Sequence, residues 1–207
     1  MRVFVALTLP RPAIQALSQA RAILEAEAPR LAWVGEENWH ITLAFLGDQA
    51  EPGLGAARRG LHRLESQGLR APLLSFGSLA CFPPRGPWRV LVAGLYRPEG
   101  LGEVYTVLGR ALAEEARLGG LPPLDPEWRE PGRSRARPWT PHVTLARNRP
   151  QGLALPSRAC LDRAGGILEA ASGTGGWPLE AALLYKSELR PGGAVYAELD
   201  RAIFRPR

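Results

Sequence analysis

Trp39-His40-Ile41-Thr42-Leu43-Ala44-Phe45-Leu46-Gly47 and Pro141-His142-Val143-Thr144-Leu145-Ala146-Arg147 are two versions of one phrase, and they contain two of the three histidines in the chain. Successive side chains on a β-strand point to opposite faces. His40 and Thr42 therefore share one face while Ile41 and Leu43 share the other, and His142 and Thr144 stand to Val143 and Leu145 in the same way. Each copy predicts a strand with an apolar side toward a core and an imidazole and a hydroxyl toward something polar. Two such strands lining one cleft would present two histidines and two threonines to one ligand. The copies lie about half of the 207-residue chain apart, so a pseudo-symmetric pair of lobes with one motif strand each is the natural architecture. Phe45 sits at an odd offset from His40, and simple alternation turns it to the core face. A base-stacking role for it would need a bulge or a strand end.

Working outward, the chain alternates strands and helices. Residues 2–9 read as a strand, and Pro10 and Pro12 open a helix that ends before Pro29. Leu31–Val34 is a short extended piece, and Pro52 to Gln67 carries a second helical pattern. Leu73–Phe82 and Trp88–Leu95 predict a hairpin across a Pro/Gly-rich turn, and Leu101–Leu118 is a third helix closed by Gly119-Gly120. A short helix is expected near Ser157–Ala164, and the chain finishes on two strands, Leu179–Leu189 and Ala194–Phe204. Three helices and about seven strands, many in hairpin order, predict an α+β fold. The expected form is a bilobal pseudo-two-fold arrangement of two mainly antiparallel sheets, with outer helices and a central cleft, spanning 1–207 as one domain. Gly119–Pro138 is the one long irregular stretch, and its second half holds Arg129, Arg133, Arg135 and Arg137. A basic arm beside the second motif could guide a phosphate backbone, and a solvated insertion would read the same way.

Composition narrows the function. No apolar run approaches the length of a membrane span, and the N-terminus reads as a strand rather than a signal sequence, so a cytoplasmic protein is expected. Cys81 and Cys160 lack metal-ligand spacing and read as reduced structural thiols, and no clustered His/Asp motif implies a metal or other cofactor. The net charge of +6 is carried almost wholly by arginine, with Lys186 the only lysine. A basic, arginine-rich surface suits phosphate-bearing partners. The same composition suits a GC-rich genome, so charge alone assigns nothing.

The repeated motif suggests a chemistry. A neutral imidazole can take a proton from water or a hydroxyl while a protonated one gives a proton to a leaving oxygen. Thr42 and Thr144 would donate to non-bridging oxygens held between His40 and His142. A phosphodiester fits this geometry, because in-line displacement places the attacking and leaving oxygens on opposite sides of phosphorus. A strained 2′,3′-cyclic phosphate needs no metal for that step. His62 has no comparable context and reads as a surface residue.

At these residues the chain resembles the 2H phosphoesterase superfamily, and within it the RNA 2′,3′-cyclic phosphodiesterases, also called 2′-5′ RNA ligases. The similarity takes in Arg2-Val3-Phe4-Val5-Ala6-Leu7, Trp33-Val34 with Glu37 to Gly47, Pro141 to Arg147, and Leu184-Tyr185-Lys186-Ser187-Glu188-Leu189. The resemblance implies two motif strands side by side at the base of a cleft. It implies hydrolysis of RNA 2′,3′-cyclic phosphate ends to 2′-phosphates, with His40 as general acid, His142 as general base and Arg147 approaching the phosphate. It implies an RNA partner, and no membrane, cofactor or protein partner is expected, with the chain a monomer. Reversal would form a 2′-5′ linkage and exchange the histidine roles. The alternatives are a small cyclic phosphate such as ADP-ribose 1″,2″-cyclic phosphate, or a non-enzymatic RNA-end-binding module.

Overall fold

The computed structural model describes residues 1–96, 99–128, 139–149, 152–190 and 193–207. Ten strands, four α-helices and one 3-10 turn follow in the order β1 (Arg2–Thr8), α1 (Arg11–Glu27), β2 (Ala32–Trp33), the turn Glu36–Asn38, β3 (His40–Asp48), α2 (Glu51–Ser66), β4 (Leu73–Leu74), β5 (Phe76–Phe82), β6 (Val90–Leu95), α3 (Leu101–Leu118), β7 (His142–Arg147), α4 (Arg158–Ser172), β8 (Trp177–Pro178), β9 (Ala181–Arg190) and β10 (Gly193–Ile203). The α+β class holds, and the strand pairing inside every sheet is antiparallel.

The two motif strands sit where two half-sheets meet. Strand order runs β10-β9-β1-β3-β7-β6-β5, with β2 on β7 and a separate β4-β8 pair. Among the described residues, β3 and β7 share a single ladder pair, Ile41 with Val143. Farther along the same strand, β7 pairs with β2 through Ala32–Arg147 and Trp33–Ala146 instead. A strand has only two edges, and β6 holds the other, so β2 displaces β3 from β7 after one pair. The halves are thereby joined through a single ladder pair between the two motif strands.

The helices back the halves in an exchanged fashion. Helix α1, which precedes the first motif strand, packs on α4, and α4 covers β5. Helix α3, which precedes the second, packs on α2, and α2 covers β9 and β10. Buried Glu115 of α3 ties the second pair together, accepting from Arg59 Nε at 2.7 Å and from Arg63 Nη2 at 2.6 Å. The Arg59 bond, with Arg63 behind it, holds the Glu115 carboxyl below its ordinary pKa. Gly60 lets the two helices touch, since a Cβ there would lie 2.9 Å from Leu112 Cδ2 and 3.4 Å from its Cα.

Helix α4 is about twice as long as the sequence predicts. Gly165-Gly166 weakens the local helix signal, because glycine costs about 1 kcal/mol against alanine in a helix interior. Ser157 caps the helix by accepting from Cys160 N, and Glu27 of α1 accepts from Ser157 N at 2.8 Å. The face carrying Cys160, Ala164 and Leu168 is buried. Capping and burial together outweigh the two glycines. Both cysteines are free, with Cys160 buried and Cys81 half-buried. His62 is exposed, as expected, with Nε2 3.0 Å from Asp200 Oδ2.

Gly166 lies in open space on the exposed side of α4. Gly166→Ala should therefore stabilise the protein by about 0.5–1 kcal/mol in chemical denaturation. A loss of stability would show that the glycine is required by packing.

Candidate active site

Extending the Ile41–Val143 register places His40 opposite Thr144, and Thr42 opposite His142, all on one face. The two histidines are then diagonal neighbours, about 7–8 Å apart across an antiparallel pair of this kind. Both rings are held alike. His40 Nδ1 is 2.7 Å from the Asn38 carbonyl, and His142 Nδ1 is 2.8 Å from the Thr140 carbonyl. A carbonyl can only accept, so each Nδ1 carries a proton and donates it, leaving each Nε2 to exchange protons. Among the described residues neither the Thr42 nor the Thr144 hydroxyl has a protein hydrogen-bond partner, so both can donate to a ligand.

Both motif strands contain the same irregularity immediately after the threonine. The β1–β3 register skips Leu43, running from Val5–Ala44 to Ala6–Thr42. The β6–β7 register skips Leu145, running from Leu91–Ala146 to Val92–Thr144. Leu43 and Ala44 are consecutive buried residues, as are Leu145 and Ala146. A bulge reverses the face of everything after it. Phe45 is consequently 60% exposed on the His40 face, the opposite of what uninterrupted alternation predicts. Arg147, at the matching offset from His142, is exposed on the same side of its own strand. The repeat thus delivers an aromatic ring from one motif and a guanidinium from the other.

The walls beside the two motifs differ. Around His40 the ring of Phe4 stands 5.0 Å from the imidazole, and Tyr196 packs edge-on at 5.3 Å. Tyr185 stacks on Phe4 at 5.3 Å, and Phe45 lies 6.2 Å from it. Burial against these rings drives the His40 pKa below its ordinary 6.5, and the charges of Arg147 and His142 push the same way. Burial raises the Tyr196 phenol, with Arg147 opposing, so the guanidinium's field reaches both groups. On the other wall Phe82 lies 5.1 Å from His142. Phe4, Tyr196 and Phe82 carry no motif of their own and join the site only through strand pairing.

Trp139 was likewise invisible in the sequence pattern. Its indole Nε1 donates to the Thr42 carbonyl at 3.2 Å while its ring stacks on Tyr105 of α3 at 4.4 Å. The residue three before His142 thereby supplies a second tie across the junction, next to the lone Ile41–Val143 pair. The basic segment at 129–138 lies outside the described residues. Among the described residues no group of three or more His, Cys, Asp and Glu is placed to hold a metal ion, and no helix is long and apolar enough to cross a membrane.

The LigT-like phosphoesterase family signature matches residues 7–92, which include the first motif. A Thermus thermophilus protein named RNA 2′,3′-cyclic phosphodiesterase is 31% identical over 210 residues, covering 99% of this chain and 91% of that protein. The chain belongs to the LigT-like phosphoesterase family. This LigT-like phosphoesterase also matches the crystal structure of Thermus thermophilus TT0787 with a TM-score of 0.71 at 28% identity, covering 100% of this chain and 99% of that one. Its fold is shared with apo Escherichia coli LigT, at a TM-score of 0.62, 21% identity and coverage of 98% and 96%.

Two measurements follow from the geometry. In NMR titration the His40 imidazole should gain its proton only below pH 6.5, since burial disfavours the cation. A midpoint above 6.5 would contradict the packing described for it. Trp139→Phe keeps a ring for Tyr105 but removes the bond to Thr42, and should cost about 1 kcal/mol of stability.

Proposed function

We propose that this phosphoesterase hydrolyses 2′,3′-cyclic phosphates at RNA ends to 2′-phosphates by paired-histidine acid–base catalysis, with His40, Thr42, His142, Thr144 and Arg147 forming the site and the whole chain acting as one bilobal unit. The observation that carries the reading is the matched tethering of both histidines at Nδ1, which leaves both Nε2 atoms to exchange protons. The name of the Thermus relative supports the substrate.

In this scheme water attacks phosphorus in line with the P–O3′ bond. His142 Nε2 takes the water proton, the P–O3′ bond breaks, and His40 Nε2 gives its proton to O3′. The product is a 2′-phosphate beside a free 3′-hydroxyl. The Thr42 and Thr144 hydroxyls and the Arg147 guanidinium bind the non-bridging oxygens, whose charge grows as the new bond forms. A lowered pKa makes the His40 imidazolium a stronger acid toward the departing alkoxide. Exposed Phe45, beside the Phe4 and Tyr185 rings, offers a face on which the terminal base can stack. Run backwards, with a 5′-hydroxyl replacing water, the same groups would form a 2′-5′ linkage. That direction needs a high local concentration of 5′ ends and is the lesser activity.

The test is incubation of purified protein, in EDTA, with an oligoribonucleotide ending in a 2′,3′-cyclic phosphate, resolving the product ends. A 2′-phosphate should form, and His40→Ala or His142→Ala should each slow it by at least ~10²-fold. The kcat/KM profile should be a bell whose acidic limb lies below pH 6.5, because one of its two imidazoles is the depressed His40. Unimpaired turnover in either alanine variant would refute the mechanism. An untouched RNA end, with ADP-ribose 1″,2″-cyclic phosphate consumed, would move the substrate to a small molecule.

A further inference from the structure

The strand that carries His142 and β6, which pairs with it, run through stretches free of acidic residues. No Asp or Glu occurs from residue 76 to 95 or from 139 to 161, while Arg85, Arg89, Arg147 and Arg149 all fall there. All four are exposed, and among the described residues none has a carboxylate partner. Several arginines elsewhere are neutralised at close range. Arg59 and Arg63 bond Glu115, Arg190 bonds Glu188, and Arg201 bonds Glu198.

Three of the four unpaired arginines are locked together by backbone. Val90 pairs with Arg147 at the end of β6 and β7. Asn148 N donates to the Arg89 carbonyl at 2.8 Å, which sets Arg89 beside the residue between Arg147 and Arg149. The Asn148 side chain, only 4% exposed, completes the arrangement. Its Nδ2 donates to the Trp88 carbonyl at 3.2 Å and its Oδ1 accepts from Leu153 N at 3.1 Å. A buried amide with its hydrogen bonds satisfied is a rigid joint. Here it pins the β5–β6 turn to the segment after β7, and so holds the Arg89 and Arg149 backbones in place beyond Arg147. Arg85 stands farther out on the same turn.

Exposed guanidiniums without carboxylate partners, on backbones tied to that of Arg147, suit a chain of phosphates. Counterions released from such a chain favour binding, whereas a single cyclic mononucleotide would end at Arg147. We infer that Arg89 and Arg149, with Arg85 beyond them, form a subsite for the backbone phosphates of the RNA nucleotides upstream of the cyclic end. The inference rests on the proposed hydrolysis of such ends, and it makes an oligoribonucleotide, rather than a mononucleotide, the preferred substrate.

The experiment compares adenosine 2′,3′-cyclic phosphate with a tetraadenylate ending in the same group, across a range of salt concentrations. In the native protein the tetranucleotide should show the lower KM. In Arg89→Gln/Arg149→Gln its KM should rise about tenfold at low salt, and its salt slope should flatten by about 1.4 for two lost single-strand contacts. Turnover of the mononucleotide should be unchanged, and Arg89→Lys/Arg149→Lys should restore the salt slope. Equal KM values for the two substrates in the native protein, or a preference that survives the glutamine variant, would overturn the subsite while leaving the hydrolysis intact. Failure to turn over either substrate would overturn the hydrolysis and the subsite with it.

Discussion

The Ile41–Val143 pair is the hinge point on which the architecture depends. One ladder pair fixes the relative height of β3 and β7, and therefore sets each histidine across from the other motif's threonine. More pairs would flatten the two half-sheets into a single surface with no cleft. β2 prevents this by taking the remaining edge of β7. The junction is weak in backbone hydrogen bonds, and it is reinforced from the side by the Trp139 indole and by core packing through helices that each precede one motif and pack in the opposite half. The catalytic geometry is thus set by rigid bodies on either side of a narrow contact.

Much of this was legible in the sequence because it is periodic. The alternation of His40, Ile41, Thr42 and Leu43 gives the strand, the buried face and the polar face at once. Its recurrence at His142 gives the second half. Phe45 marks where the reading stops. Whether a bulge intervenes depends on how β1 lies against β3, a relation between segments some forty residues apart that leaves no local trace at Leu43. Helix α4 was underestimated for a different reason, since Gly165-Gly166 lowers local propensity while the Glu27 that holds its capping Ser157 comes from α1. Phe4, Tyr196 and Trp139 reach the site through pairing and tertiary contact alone. The fold was therefore legible at the level of elements, and the proposed site at the level of the four motif residues that the register sets on one face.

A duplicated motif does not make a symmetric site. The bulges are equivalent, yet they deliver Phe45 on one side and Arg147 on the other. Phe4, Tyr185 and Tyr196 extend the aromatic side, and unpaired arginines extend the basic one. A ligand with an apolar, stacking end and an anionic end can enter such a cleft in only one sense. In the proposed reaction the two histidines would consequently meet different oxygens of the phosphate despite their matching backbones, with His40 packed among the aromatic rings.

The tethering of both imidazoles at Nδ1 has a consequence for the catalytic cycle. In the proposed reaction, proton transfer onto one Nε2 and off the other would leave the pair with its charges interchanged. Because the Asn38 and Thr140 carbonyls occupy both Nδ1 atoms, neither ring can relay the surplus proton through its far side. The starting arrangement can be regained only through the mouth of the cleft, by water entering as product departs. On that reading, resetting the catalyst and emptying it would be a single event, and a site that had just completed the reaction in one direction would already be charged to begin it in the other.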